Sequence, residues 1–441
     1  MSCDSAVKSA FGIGLMMAIE ETCGVAANTS TNRYYWQGGR WIPVVTSTVP
    51  AIEDRQAQVF SPGYAGRRAR NTRAPVAGRQ WSDGQTTVDV TSDFFPILLY
   101  AAMGSVSANA IPSTDFNLGS EDLVAETSHV VVLDSQPSDG GAILRFVITG
   151  TSAAGHISVQ GVNANGDGAS EIIGFTSAGS MYTRTSFSAI GASSITIWSN
   201  NGGSVVVDGF KYWDYIISEN NVNNPTMTLE RIGDPRAGAT SRAFQHTNMG
   251  VTELNFAVPA DSPDGVISTT FSVEGFPATV VTAGSIGAAS AQYVWPSWVL
   301  AMTRDGSNWH KVTNADFSYI AGVQNYLAAA GTQSPQGKFF GSRELTGSLD
   351  VLVNDEGEYN RWRGLSSQTI VWDMNSPRKL TTNDNLQMTA SMNQLFIEDG
   401  NLTENNDMLS FSIQYRNVED SANGLMKWHI KSNLPPSAFA L

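Results

Sequence analysis

The sequence predicts an all-β protein built from duplicated β-sandwich or barrel units, each with a short flanking helix, plus an immunoglobulin-like β-sandwich inserted into the first copy. Three observations carry this. Apolar and polar residues alternate with period two along most of the chain, helical periodicity is confined to two short stretches, and one strand–helix pattern is written twice.

The alternation is clear in "TTVDV" (Thr86–Val90), "HVVVL" (His129–Leu133), "ILRFVITG" (Ile143–Gly150) and "SITIW" (Ser194–Trp198). It continues in "VTELNFAV" (Val251–Val258), "ISTTFSVEG" (Ile267–Gly275), "SLDVLV" (Ser348–Val353) and "MLSFSIQYR" (Met408–Arg416). The helix candidates are "FFPILLYAAMG" (Phe94–Gly104) and "EYNRWRGL" (Glu358–Leu365). Each directly follows a repeated strand, and in each an aromatic residue opens a short amphipathic turn able to lie across a sheet.

The repeat aligns "GQTTVDVTSDFFPILL" with "GSLDVLVNDEGEYNRW" at a spacing of 263 residues, Gly84 to Gly347. A second pair, Val251–Gly275 and Met392–Arg416, aligns at 141. The difference, 263 − 141 = 122 residues, matches an extra block of about Ser105 to Asn221 in the first copy alone. The predicted organisation is therefore a discontinuous first unit (1–104 and 222–282), an inserted domain (105–221) and a second unit (283–441). The inserted block is rich in Gly, Ser, Ala and Val, with turns such as "QPSDGG", "NANGDG" and "SNNGGS". Short, evenly spaced strands of this kind point to a sandwich whose two ends lie close together. It has no Cys…Trp…Cys framework, so the likeness to immunoglobulin domains is one of architecture only.

Composition narrows the functional classes. Among 441 residues, 41% are apolar but only 15% charged, against about 25% in ordinary soluble domains. Such a surface suits all-β proteins that bury much of themselves against partners. The formal charge is −14 and no segment is basic enough to follow a phosphate backbone, which argues against sequence-specific nucleic-acid binding. An acidic wall that repels a passing polyanion fits the same charge. With Cys3 and Cys23 alone, a disulfide-stapled secreted fold is not expected, and the chain is expected to fold in a reducing cytoplasm. The apolar run Phe11–Ile19 is short and enters Glu20-Glu21 without a cleavage site, so it is not read as a signal peptide. No run approaches the ~20 apolar residues of a membrane span, and a soluble protein is expected.

Arg67, Arg68, Arg70 and Arg73 invert the local charge within the long stretch Gln56–Ala77. Three readings stand: nucleic-acid contact, a solvated loop, or an arm whose guanidinium forks engage carboxylates of a neighbouring subunit. The second copy has a long Gly-containing stretch, Ile320–Phe340, at the matching place. "NANGDGASE" resembles half of a calcium loop, but Gly174 stands where the bidentate Glu belongs, so a hairpin turn is expected. The five histidines are scattered, and no nucleophile elbow, phosphate loop or dinucleotide fingerprint is present. No enzyme, cofactor or metal site is predicted. Trp36, Trp41, Trp295, Trp298 and Trp309 lie in turn-rich stretches, where they could stack on sugars or plug sandwich edges and interfaces.

In order along the chain, these features resemble the tail tube (major tail) proteins of long-tailed bacteriophages. The likeness rests on "FGIGLMMAIEETCGVAA", the Arg-bearing stretch, the glycine-led strand and helix, "GSRELTGSLDVLV" with "YNRW" behind it, and the closing "LSFSIQYR". It covers about Lys8 to Gly104 and Val222 to Lys431; the inserted block resembles decoration domains of phage tail surfaces. The resemblance implies a structural virion protein, assembled in the bacterial cytoplasm, whose sheets join edge to edge into stacked rings forming a conduit for genome ejection. A duplicated chain would complete a pseudo-sixfold ring from three subunits, with Arg67, Arg68, Arg70 and Arg73 in a ring-stacking loop. The implied partners are further copies of the chain, a tape measure protein in the lumen, tail terminator and tail-tip proteins, and DNA in transit without sequence-specific contact. The alternatives are a tail-tip receptor- or carbohydrate-binding β protein and a secreted polysaccharide-acting enzyme.

Overall fold

The computed structural model describes residues 14–27, 41–44, 51–59, 76–137, 140–150, 154–220, 223–233, 242–259, 265–283, 292–309, 311–326, 333–353, 357–405, 408–421 and 423–440. The chain opens with β1 (Gly14–Ile19), β2 (Ile42–Val44), β3 (Ala51–Val59), β4 (Val76–Asp89) and helix α1 (Phe94–Met103). The strands β5 (Gly104–Leu123), β6 (Thr127–Val131), β7 (Ile143–Thr149), β8 (Gly155–Asn163) and β9 (Gly168–Phe175) follow. Next come β10 (Gly179–Tyr182), β11 (Phe187–Ser199), β12 (Gly203–Glu219), β13 (Met227–Ile232), β14 (Arg242–Val258), β15 (Ser268–Gly275) and β16 (Thr279–Thr282). The rest of the chain begins with β17 (Leu300–Arg304), β18 (Ser307–Asn308), β19 (Val312–Ile320), β20 (Val323–Tyr326), β21 (Gly337–Phe340) and β22 (Glu344–Leu352). Helix α2 (Gly357–Arg363), β23 (Gln368–Lys379), β24 (Asn385–Asn405), β25 (Met408–Asn417) and β26 (Lys427–Ser432) complete it.

All named pairings are antiparallel, and the pairing scheme repeats. In the first half β1 pairs with β2 and β13, β13 with β14, β14 with β15 and β16, and β15 with β4, which pairs with β3. In the second half β17 pairs with β18 and β23, β23 with β24, β24 with β25 and β26, and β25 with β22, which pairs with β19. The halves join where β14 pairs with β19, Glu253 facing Ile320 through Val258 facing Ala315. One continuous sheet of eight strands results, in the order β3-β4-β15-β14-β19-β22-β25-β24, four strands from each half.

The register fixes the repeat residue by residue. Gly84 faces Ile52 and Gly347 faces Phe317, and both glycines are required by the same contact. A Cβ on Gly84 would stand 2.2 Å from the Ala51 carbonyl oxygen, and one on Gly347 2.3 Å from that of Asp316. The spacing of 263 residues is thus a structural equivalence. The second spacing needs correction. Bulges put Thr252 and Glu398 in equivalent places, 146 apart, while Val273 and Tyr415 in the following strands are 142 apart. A spacing of 141 holds for β13 against β23, Leu229 to Ile370, because the hairpin into β24 is five residues longer than the one into β14.

The two helices differ from the amphipathic turns expected. Nine of the ten residues of α1 are buried, among them Phe94, Phe95, Leu98 and Leu99. β5 and β12 cover α1 on the side away from the sheet; among the described residues no strand covers α2 in this way, and Tyr359 is half exposed. A left-handed Gly104 closes α1, its amide bonding the Tyr100 carbonyl. The main core runs through both halves, with Phe95, Phe256, Phe317, Trp372 and Trp428 joined by a chain of ring contacts.

The segment between α1 and β13 departs and returns side by side, Gly104 facing Glu219. Its strands form two sheets, β5-β12-β7-β10 and β6-β11-β8-β9, around a separate apolar cluster that includes Phe146, Ile157, Phe187, Ile197 and Val205. The C-terminal half of β12 instead pairs with β26 and places Trp213, Tyr215 and Ile217 in the main core. The base of this segment is tied to the rest of the fold: Arg184 forms an ion pair with Asp93 at the start of α1, and the Asn433 side-chain amide donates to the Arg184 carbonyl.

Candidate assembly surface

The eight-stranded sheet has two unlike faces, as alternation dictates. One packs on the core through residues such as Val88, Phe271, Phe256, Phe317, Leu349 and Ile413. The other is largely polar. Among the described residues it carries the carboxylates of Glu53, Asp83, Asp89, Glu253, Glu274, Asp316, Glu344, Asp350 and Asp399, with the guanidiniums of Arg55 and Arg416 among them. Both arginines are committed locally, Arg55 to Asp83 at 2.8 Å and Arg416 to Glu344 and Glu398 at 3.0 and 2.9 Å. Burial raises the carboxyl groups of Asp89 and Glu274 above their ordinary range. The face is therefore a broad acidic field held on a rigid sheet. Its signal was present in the sequence as the polar positions of the alternating strands, but the face they share is set by the pairing.

The short hairpin β20–β21 sits at the end of this sheet, with Lys338 bonded to the Glu274 carbonyl and, at 2.7 Å, to Asn325 Oδ1. Burial lowers the Lys338 ammonium to about 8, opposed by Glu274. In the unfolded chain the amine regains its ordinary value near 10.5, so between pH 8 and 10.5 the unfolded state binds the extra proton. Stability should rise with pH across that window by up to ~3 kcal/mol. Urea unfolding at pH 7.5 and 10 is expected to show this rise in the parent and not in Lys338→Met.

The sheet ends on two open edges. Among the described strands β3 pairs only with β4, and from residue 396 onward no described strand lies on the side of β24 opposite β25. Leu402, which opens toward this edge, is 61% exposed although its equivalent Phe256 is fully buried. Beside it a cavity of about 570 Å³ lies between α2 and the sheet, lined by Tyr359, Arg363, Gly400, Leu402 and Phe411.

Arg67, Arg68, Arg70 and Arg73 lie outside the described residues, between β3 and β4, as does Trp36, which falls between β1 and β2. Of the other tryptophans singled out, Trp41, Trp295 and Trp309 are buried and only Trp298 is exposed. The three buried ones plug the fold, and among the described residues only Trp298 of this set stands open to solvent. The calcium-like stretch folds as the β8–β9 turn, the Asn163 side chain accepting from the amides of Asn165 and Asp167. Among the described residues no His, Cys, Asp and Glu side chains cluster as a metal site. His129 and His429 instead pair with Glu121 and Asp214. No described helix is long and apolar enough to cross a membrane.

No curated protein matches the chain. A family model described as phage tail tube protein matches residues 11–416, both halves and the segment between them. Its near-complete span agrees with a repeated, antiparallel sheet that ends on open edges, and the chain belongs to the phage tail tube protein family.

Proposed function

We propose that three copies of this chain close into a ring whose inner wall is the eight-stranded sheet repeated three times, twenty-four strands in all, and that stacked rings form the tail tube through which the genome is ejected. The single observation that carries this is the β14–β19 joint. One tube unit already meets another edge to edge within the chain, and equivalent edges stand open at β3 and β24. Closure about a symmetry axis removes both edges. The acidic face then lines the channel and keeps duplex DNA from binding its wall.

In this reading the tube units are 1–104 with 222–282, and 283–441; the segment 105–221 is a β-sandwich decoration domain on the outside. Its separate apolar cluster and adjoining ends support that division. The loops around Arg67, Arg68, Arg70 and Arg73 and around β20–β21 reach the adjacent ring, and the lumen holds a tape measure protein before ejection. Tail terminator and tail-tip proteins would cap the stack, and assembly takes place in the bacterial cytoplasm. Electron microscopy of the purified protein at rising concentration tests the reading. Rings or tubes with an open channel are expected; compact particles without a channel at every concentration would overturn it, and would direct attention to glycan binding.

A further inference from the structure

The chain contains a template for its own intersubunit joint, and this inference rests on the ring reading above. At the internal joint Phe256 of β14 stacks on Phe317 of β19 with centroids 5.1 Å apart, and Trp372 and Trp428 lie against Phe256 at 5.7 and 6.0 Å. The repeat register assigns each of these a counterpart at the open edges. Leu402 stands for Phe256, and Ile52 for Phe317. Arg231 stands for Trp372, since β13 and β23 run 141 residues apart, and Val280 stands for Trp428 across β14 and β24. Two of the four are left bare in the single chain, Leu402 at 61% and Val280 at 47% exposed, while Ile52 and Arg231 are already buried. Arg231 already bonds the Ile52 carbonyl, as expected for a group lying beneath that residue, and the carbonyl keeps a second lone pair for a partner strand.

We propose that residues 399–402 of one copy pair antiparallel with residues 52–55 of the next, Asp399 facing Arg55, Asn401 facing Glu53 and Leu402 facing Ile52. The register follows from Glu253 facing Ile320, Asn255 facing Ser318 and Phe256 facing Phe317. Charge agrees with it, because the Asp399 carboxylate meets a guanidinium whose equivalent position inside the chain is the neutral Ile320. Leu402 and its neighbouring cavity then lie against the β3 backbone at Ile52, a residue already buried in its own core, with Val280 closing from the second strand. The Ala321 amide donates to the Thr252 carbonyl, so by alternation Phe317 and Tyr319 turn their amides toward β14, and Ser318 and Ile320 turn theirs away. Glu53–Asn401 and Arg55–Asp399 are therefore the close, non-hydrogen-bonded pairs, about 4.5 Å between Cα atoms and within disulfide reach.

The test uses the full chain with Cys3 and Cys23 changed to serine, carrying Glu53→Cys and Asn401→Cys. A second, independent pair, Arg55→Cys with Asp399→Cys, guards against a folding defect in the first, and Asp54→Cys with Asn401→Cys is the one-residue slip. After mild oxidation, non-reducing gels are expected to show covalently linked copies up to the trimer for both in-register pairs, and at least tenfold less for the slip. Rings that form without linking in either in-register pair, or that link equally in the slipped pair, overturn the register while the ring stands. Absence of rings in the parent at every concentration overturns both.

Discussion

Leu402→Lys is expected to leave a folded chain that no longer closes into rings. Leu402 is mostly exposed in the single chain, so its replacement should change folding stability by no more than about 0.5 kcal/mol. In the proposed joint the same side chain is covered by the β3 backbone at Ile52 and lies near Arg231, where an ammonium would be desolvated and face a like charge. A cost of about 3 kcal/mol or more per joint corresponds to at least a ~100-fold rise in the concentration needed for assembly. Sedimentation across a concentration series, alongside urea unfolding, separates the two effects. Equal assembly of parent and variant would remove this edge from the ring.

The second large effect belongs to the clamp beneath the segment between α1 and β13. Asp93 is 1% exposed at the start of α1, where it accepts from Ser92 and pairs with Arg184. Arg184→Ala leaves that carboxylate buried without its countercharge, a change that costs ~3–5 kcal/mol. Adding Asp93→Asn should recover a substantial part, because the charge is removed along with its partner. Urea denaturation of the two single variants and the double variant measures the coupling. If Arg184→Ala is within about 0.5 kcal/mol of the parent, the segment between α1 and β13 is not held through this pair.

Much of the fold was legible because its signals are local. Alternation marked the strands, an aromatic-led amphipathic turn marked both helices, and the glycine at 84 and 347 recurs because the equivalent carbonyl crowds the same point of both strands. What the sequence misplaced depended on chain geometry. The spacing of 141 belongs to β13 and β23; bulges and a longer hairpin move the next strands to 146 and 142, and short β patterns align nearly as well at several spacings. α1 was read as amphipathic although β5 and β12 bury its outer side, an effect of strands that begin after the helix has ended.

The assembly surface was legible only in outline. An acidic wall was expected from the charge of −14, but naming Glu253, Asp316 or Asp350 requires knowing which strands are neighbours and which face is turned to the core. The open edges left no signal, because an unpaired strand and a paired one are written with the same residues. The arginine loop is the reverse case. Its signal was strong in the sequence, and its residues lie outside the described ones.

Copy number per ring tests the central claim most directly, since each chain is held to supply two adjacent units of the wall. Native mass spectrometry of isolated rings, with image averaging down the axis, is expected to give three copies, a sixfold-like inner wall and three outer lobes. Six copies around one channel would show that each chain supplies a single unit, and would contradict the account.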